Sequence, residues 1–463
     1  MIKWNGRMTL RTDTLSLATR LLLAATLLCV GPASQALGQQ ATSGMSNPTA
    51  SRRLSAVERA AALKSIGDSL RESYVFPELR PKLVERLREA QAAGRYDVDD
   101  PGAFAERVTE DLRAAGHDGH LYLRFSPAEY AAAIAPSSSD DGSEAFDRRR
   151  ALRNHFGLTE LKLLPGNIRY LKISGFEWVR DETGAAYDDA MRFLKQGDAV
   201  VIDLRGNGGG SAEAVQYLAS HFLPADTLLM TFLQGSAAGI QSRTLSHVPA
   251  GRLLGKPLYV LIDGGAASAA EEFAYHVQQF KLGELIGAKT AGGANNNRLV
   301  PIAPGFMLSV SFGRPVHAVS NTNWEGAGIA PSVETAPAQA LDAAQSLALS
   351  RLAQAPGATP EQLADYAWAR TAAEARLHPV SLTSKRLRSL AGSYGEIEVA
   401  LRDGALWLTR ADRPPRRLSP LDAEGLFAVD GVDVLRLRFT PKGLELLRQG
   451  DPAPRVFERI RSR

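Results

Sequence analysis

Three stretches of this chain hold residue types that could attack a carbon and move a proton. In Gly264-Gly265-Ala266-Ala267-Ser268-Ala269-Ala270-Glu271-Glu272, a hydroxyl stands among small neighbours where the apolar run 257–262 gives way to a helical pattern. An alcohol on a sharp strand-to-helix turn, with helix amides beside it, has the physical logic of a nucleophile elbow. The spelling is not Gly-x-Ser-x-Gly, and Ser268 with Glu271 three residues on equally spells a helix N-cap with a capping box. His117-Asp118-Gly119-His120 offers an imidazole base for a distant hydroxyl, since such partners meet in space and not in sequence. It also offers two histidines and a carboxylate to a metal, but the His-Glu-x-x-His spacing is missing and the whole chain has only eight histidines. We expect no metal. In Trp324-Glu325-Gly326-Ala327-Gly328, Glu325 sits in a glycine-rich turn, where it could orient a histidine, touch a ligand or simply face solvent.

A fourth stretch supplies main-chain donors. The run AVVIDL over 199–204 leads into Arg205-Gly206-Asn207-Gly208-Gly209-Gly210 and then a helical pattern from Ser211. The phosphate-loop reading fails because no Gly-Lys-Ser/Thr follows, and the dinucleotide reading fails because its last glycine falls on Ser211. A loop remains whose amides can point at an anion near a helix N-terminus, or which is only a tight turn. A transition-state oxyanion is one such anion.

These pieces need a frame. Residues 51–114 read as three helices: Ser55 and Glu58 form a capping-box signature before Leu63, Ile66 and Leu70, a second stripe runs Leu79, Leu83, Leu87, and Asp100-Pro101 opens a third with Phe104, Val108 and Leu112. From about residue 160 the texture turns to strands (168–173, 199–204, 257–262, 284–287, 307–312) alternating with helices (185–195, 211–222, 268–279). Unbroken apolar strands predict a sheet covered on both faces. The fold class is therefore α/β, with an N-terminal helical bundle (51–130), a central α/β core (160–336), an Ala-rich helical linker (337–379) and a small C-terminal β domain (380–463). Asp403-Gly404 between short β runs in the last part is a hairpin signal, and Pro136–Asp141 reads as a loop.

Taken together, AVVIDLRGNGGG, PLYVLIDGGAASAAEEFAYHVQQFKLGELIGAKTAGGA and NWEGAGIAPSVE resemble the tail-specific (C-terminal processing) serine peptidase superfamily, in order and spacing over most of residues 55–335. The resemblance implies a crotonase-like peptidase core with Ser268 as nucleophile. In the branch with a Ser–Lys dyad, the lysine position falls on Gly293, and this chain shows no PDZ insertion after its N-terminal bundle. It is more similar to the branch of tricorn core proteases and interphotoreceptor retinoid-binding protein. There the base is an N-terminal histidine, here His120, and the acidic residue matches Glu325. The linking serine of tricorn is replaced by Gly119, so a direct or water-mediated contact must serve, and Ser332 stands where the family often has aspartate. The implied oxyanion donors are the amides of Ala269 and Gly209, or Gly208. The implied partner is a peptide or unfolded protein, with no cofactor. A non-catalytic carrier of a hydrophobic ligand or peptide, and an esterase, are the competing readings.

Composition narrows the field. Lys+Arg 54 against Asp+Glu 50 gives +4, but residues 1–38 hold Lys3, Arg7, Arg11 and Arg20 against Asp13, and removing them leaves +1. No basic face for nucleic acid is visible. A basic segment, the apolar run 21–31 and Ala36-Leu37-Gly38 form a secretory signal pattern over 1–38, too short in its apolar part to span a bilayer. The one cysteine, Cys29, lies in it, so the exported chain is expected to have no thiol, excluding disulfides and Cys nucleophiles. The expected compartment is the periplasm or the exterior.

Overall fold

The apolar runs at 199–204 and 257–262 become two strands without one exposed residue, β4 (Ala199–Asp203) and β7 (Leu258–Ile262). The computed structural model describes residues 52–135, 148–178, 180–234, 239–411 and 413–460. The expected signal over 1–38 and the expected loop over 136–141 lie outside the described residues. Both strands belong to a six-stranded sheet with β2 (Leu158–Leu164), β3 (Ile168–Ile173), β8 (Glu284–Gly287) and β11 (Val333–Glu334), in the order β11-β8-β7-β4-β3-β2. All neighbours run parallel except the β2–β3 hairpin. Strand periodicity then divides the side chains between two faces. Val200, Ile202, Val260 and Ile262 pack with α6 (Asp181–Lys195), α7 (Ala212–Ser220) and α8 (Ala269–Gln279). Ala199, Val201, Tyr259 and Leu261 pack on the other side with Ala344, Ala348 and Leu349 of α9 (Ala340–Gln354) and Tyr366 and Ala369 of α10 (Pro360–Leu377). Helices α9 and α10 fill the 337–379 stretch that composition predicts as a linker. They are instead the second cover of the sheet, because a strand pair apolar on both faces needs two layers to leave water.

The N-terminal helices α1 (Ala56–Ser73), α2 (Arg80–Ala92) and α3 (Pro101–Gly116) do not close a core by themselves. Strand β1 (Tyr122–Phe125) follows, then α4 (Pro127–Ile134) and a helical turn α5 (148–153). β1 pairs antiparallel with β10 (Phe306–His317), nearly two hundred residues away in sequence, with Leu123 opposite Leu308. β10 also pairs with β9 (Asn296–Ile302) and β5 (Leu228–Leu233), and β5 pairs with β6 (Ile240–Arg243). Leu112, Phe104 and Val108 share one core with Ile302, Phe306, Leu308 and Val310. The helical bundle is thus completed by strands of the later chain, which is what carries residues 117–120 to the central sheet.

After α11 (Ser384–Leu390) the chain makes an eight-stranded meander: β12 (Gly392–Tyr394), β13 (Ile397–Arg402), β14 (Ala405–Arg410), β15 (Arg416–Pro420), β16 (Leu426–Val429), β17 (Leu435–Thr440), β18 (Gly443–Arg448) and β19 (Arg455–Glu458). Asp403 and Gly404 both take positive φ, 49° and 77°, as a two-residue primed turn demands. A bridge between Tyr394 and Arg459, and a 2.9 Å bond from the Ile460 N–H to the Ser393 carbonyl, join the last strand to the first and close a barrel. Arg436 stacks 3.9 Å from the ring centre of Trp368, docking the barrel on α10.

If α9 covers the sheet, Leu349→Ala should lower the free energy of unfolding by about 2–5 kcal/mol, as deletion of a fully buried leucine does. A denaturant titration showing no loss would return these helices to the status of a linker.

Candidate active site

The loops that follow β4 and β7 leave the sheet side by side at the carboxyl ends of its strands, where open α/β sheets place their ligands. Three polar side chains lock them. Asp203, buried at the end of β4, accepts from Tyr170 (2.7 Å) and from Arg205 (2.5–2.9 Å). Burial pushes its pKa up, but the Arg205 guanidinium and the Tyr170 hydroxyl outweigh that and hold it below the usual carboxylate value. Asp263, just after β7, takes the N–H of Gly206 from one loop (2.9 Å) and of Gly265 from the other (3.0 Å) with the same oxygen. Asn207 is buried, its side-chain amide donates to the Ile173 carbonyl (2.9 Å), and its main-chain carbonyl accepts the Ala267 N–H (3.0 Å).

Ser268 stands at the head of α8 with φ 53° and ψ −120°, a backbone shape that costs a residue with a Cβ and marks a strained turn. What holds it is Glu271. This carboxylate has no exposed surface, and its Oε2 takes the N–H of Ser268 (3.0 Å) and of Gly293 (2.8 Å). Its Oε1 takes the N–H of Gly292 (2.7 Å) and the hydroxyl of Thr290. Gly209 lies against the serine: a Cβ there, at φ 109°, would come within 2.8 Å of the Ser268 Cβ. Only glycine fits.

The imidazole arrives from the N-terminal segment. Asp118 accepts the His120 N–H (2.9 Å) and binds the Asn295 side chain (3.4 Å), fixing the backbone that bears the ring. His120 Nδ1 is 3.4 Å from Glu325 Oε2 and 3.9 Å from Asp118 Oδ1. The far edge of the ring faces Gly293, where a Cβ would stand 3.0 Å from Cε1 and 3.3 Å from Nε2. A side chain at 293 would press on the imidazole and push it by a few tenths of an ångström, so the place that the resemblance gives to lysine here borders a histidine ring. The same Gly293 shares Glu271 Oε2 with Ser268, which puts the ring edge and the serine turn at one corner. Glu325 is held by the N–H groups of Gly119 (3.1 Å), Ala294 (2.6 Å) and Asn295 (2.7 Å). Trp324, buried beside it, donates to the Gly293 carbonyl (3.1 Å).

Charge follows position. Burial works against the imidazolium of His120, but Glu325, Asp118 and Glu271 together outweigh it and its pKa is raised. Burial pushes Glu325 up, while His120 and the amides of Asn295 and Ala294 pull it further down, so it is lowered. Asp118, deeper and close to the Glu325 charge, is raised mainly by burial, against the Ser311 hydroxyl and the His120 amide. Ligand atoms of Asp118, His120 and Glu325 lie within 4.8 Å of one another, but every carboxylate oxygen in the set already accepts a hydrogen bond.

Ser268, His120, Glu325, Gly208, Gly209 and Ala269 therefore fall at one place. His117 does not join them: it is exposed and caps α3 in the left-handed region. Gly209 departs from its expected use as a donor, because its N–H is turned to the Asn207 Oδ1 (2.9 Å). The amides of Gly208 and Ala269 find no acceptor among the described residues. Ser332 bonds Glu284 and the amide of Leu285, joining β8 to the stretch before β11. Two further residues, Glu271 and Asp118, set this site without a clear signal in the sequence. Glu271 was legible only as half of a capping box, and Asp118 only as a metal hint; an Asp two residues before a histidine is a signal for a local turn that fixes the ring's backbone.

Comparison with known proteins agrees with the motifs. Residues 167–335 match the profile of Peptidase family S41. The carboxy-terminal processing protease CtpB of Bacillus subtilis (strain 168) is 27% identical over 181 residues, 38% of this chain and 35% of that protein. The carboxyl-terminal-processing protease of Synechocystis sp. (strain ATCC 27184 / PCC 6803 / Kazusa) is 28% identical over 156 residues, 32% of this chain and 34% of that one. The chain thus matches about a third of the length of these relatives. Among solved structures, the photosystem II D1 C-terminal processing protease aligns at 16% identity and TM-score 0.41 over 61% of this chain and 94% of that one. The tricorn protease aligns at 13% identity and TM-score 0.39, over 63% and 37%. The centre of this chain, residues 167–335, thus matches the S41 family, in agreement with the tail-specific superfamily that its motifs resemble.

Because all four partners of Glu271 are donors, a carboxamide cannot satisfy them. Glu271→Gln should leave a buried N–H without an acceptor and cost about 1–3 kcal/mol in a denaturant titration. An unchanged midpoint would show that the serine turn does not depend on this carboxylate.

Proposed function

We propose that this chain is an exported serine endopeptidase that hydrolyses peptide bonds of unfolded proteins or peptides through an acyl-enzyme on Ser268. His120 takes the hydroxyl proton as Ser268 attacks the carbonyl carbon, then delivers it to the leaving amine; water repeats the exchange on the ester. Glu325 holds the imidazole in place and balances its charge while it carries the proton. The amides of Ala269 and Gly208 receive the oxyanion, each such donor being worth about 3 kcal/mol. The observation that carries the reading is the corner at Gly293, where the ring edge of His120 faces a residue whose N–H shares Glu271 Oε2 with the N–H of the strained Ser268 turn. The S41 match over 167–335 supports the reaction class. Export rests on the composition of residues 1–38; no helix of the described residues is long and apolar enough to cross a membrane.

Ser268→Ala and His120→Ala should each lower turnover of an unfolded protein by about a thousandfold or more, with melting temperature nearly unchanged. Wild-type rates in Ser268→Ala would end the assignment, and ester turnover without protein cleavage would make the chain an esterase.

The pH profile tests Glu325. A base must be unprotonated, and His120 has a raised pKa, so activity should climb through a midpoint above the ordinary histidine value of about 6.5. Glu325→Gln removes the leading stabiliser of the imidazolium, so the rising limb should move to lower pH while the plateau falls. A limb that stays in place would separate Glu325 from His120.

A further inference from the structure

The C-terminal barrel holds a cavity remote in sequence from residues 167–335. A cavity of about 130 Å³ opens among Ile397, Leu408 and Val429, with Arg410, Arg413 and Arg416 on its lining. Strand alternation shows how it arises. Leu406, buried in the barrel core, shares its face of β14 with Leu408 and Arg410, and buried Leu418 shares its face of β15 with Arg416. The register sets Leu406 opposite Leu418, Leu408 opposite Arg416, and Ile397 opposite Arg410. Inward-phase positions that are leucine in the middle of the barrel thus become arginine at one end of it. Arg410 already holds Glu396 at 2.6 Å, and one Nη of Arg416 reaches the Asp430 carbonyl at 3.5 Å.

An apolar hole under guanidinium forks fits a molecule with an apolar body and a planar anionic head. Size limits what enters: an apolar cavity of roughly 150 Å³ takes up benzene, so this one suits a single ring or part of an alkyl chain, the remainder staying at the open mouth. We propose that the barrel end binds a small amphipathic carboxylate, its body between Ile397, Leu408 and Val429 and its head on Arg413 and Arg416. A free carboxylic acid and the last residue of a peptide both carry this chemistry. The site does not depend on the peptidase reading. The competing account is that these arginines, of which Arg413 and Arg416 are exposed, only keep an open barrel end from sticking to other sheets.

Calorimetric titration of the whole chain with octanoate, octan-1-ol and N-acetyl-leucine tests it. Octanoate or acetyl-leucine should bind saturably at one site per chain, at least tenfold tighter than octanol. Arg416→Gln and Arg413→Gln should each weaken the acid about tenfold or more and leave octanol binding and melting temperature alone. Leu408→Trp, which fills the hole, should abolish both. Octanoate above acetyl-leucine assigns the source as a free acid, and the reverse order assigns it as a peptide end. No saturable binding of either acid to the folded chain, equal binding of octanol, or acid affinity unchanged in both arginine variants would overturn the proposal.

Discussion

Glu271 has two carboxylate oxygens and no exposed surface, and each oxygen meets two donors. Such a charge out of water is tolerable only when its hydrogen bonds are complete. That requirement dictates the surroundings. The amides of Gly292 and Gly293 must turn inward, which bends the 290–295 stretch, and the amide of Ser268 must turn back toward the helix it opens. A positive φ at Ser268 is the geometric consequence. Strain at one backbone residue, of order 1–3 kcal/mol, is offset by four bonds to one carboxylate.

The same stretch decides what can approach. Gly293 presents its bare Cα to the His120 ring, and its carbonyl accepts from Trp324, which sets the neighbouring Glu325. The residues that meet the imidazole therefore come from one bent segment of chain and its hydrogen-bonded neighbour. The imidazole itself comes from the far N-terminal side and depends on a different force. β1 is held by its ladder to β10 and by the apolar core it shares with α3, Phe306 and Leu308. Packing there and polar locking at the loops are separate terms, and the site exists only where both are satisfied.

Much of this frame was legible. Continuous apolar strands, the Ser55–Glu58 cap and the Asp403-Gly404 turn are local signals, and each stands within a residue or two of where pattern and propensity put it. The resemblance led to Ser268, His120 and Glu325 although no local signal distinguished a nucleophile from an N-cap. What pattern could not reveal was long-range. An Ala-rich helix such as α9 reads the same whether it crosses solvent or lies on a sheet, and β1 names no partner. Glycine is the hardest case. Gly293 matters for an atom that is missing, and Gly209 for the direction of its N–H, which Asn207 captures. Neither can be read from residue type.

Two acids beside one imidazole are not equivalent, and the difference explains the arrangement. Both cannot be charged at low cost when they lie so close in a buried place. The structure resolves this by giving Glu325 three amide donors and the closer approach to Nδ1, which keeps it ionised. Asp118 sits deeper, is pushed up by burial and by Glu325 itself, and uses its oxygens on the His120 amide and Asn295. One acid therefore acts on the ring's charge and the other on its position. Exchanging their roles would require moving the three amides, and those belong to Gly119 and to the segment already bent by Glu271. The electrostatics of the imidazole is thereby tied to the same buried carboxylate that fixes the serine turn.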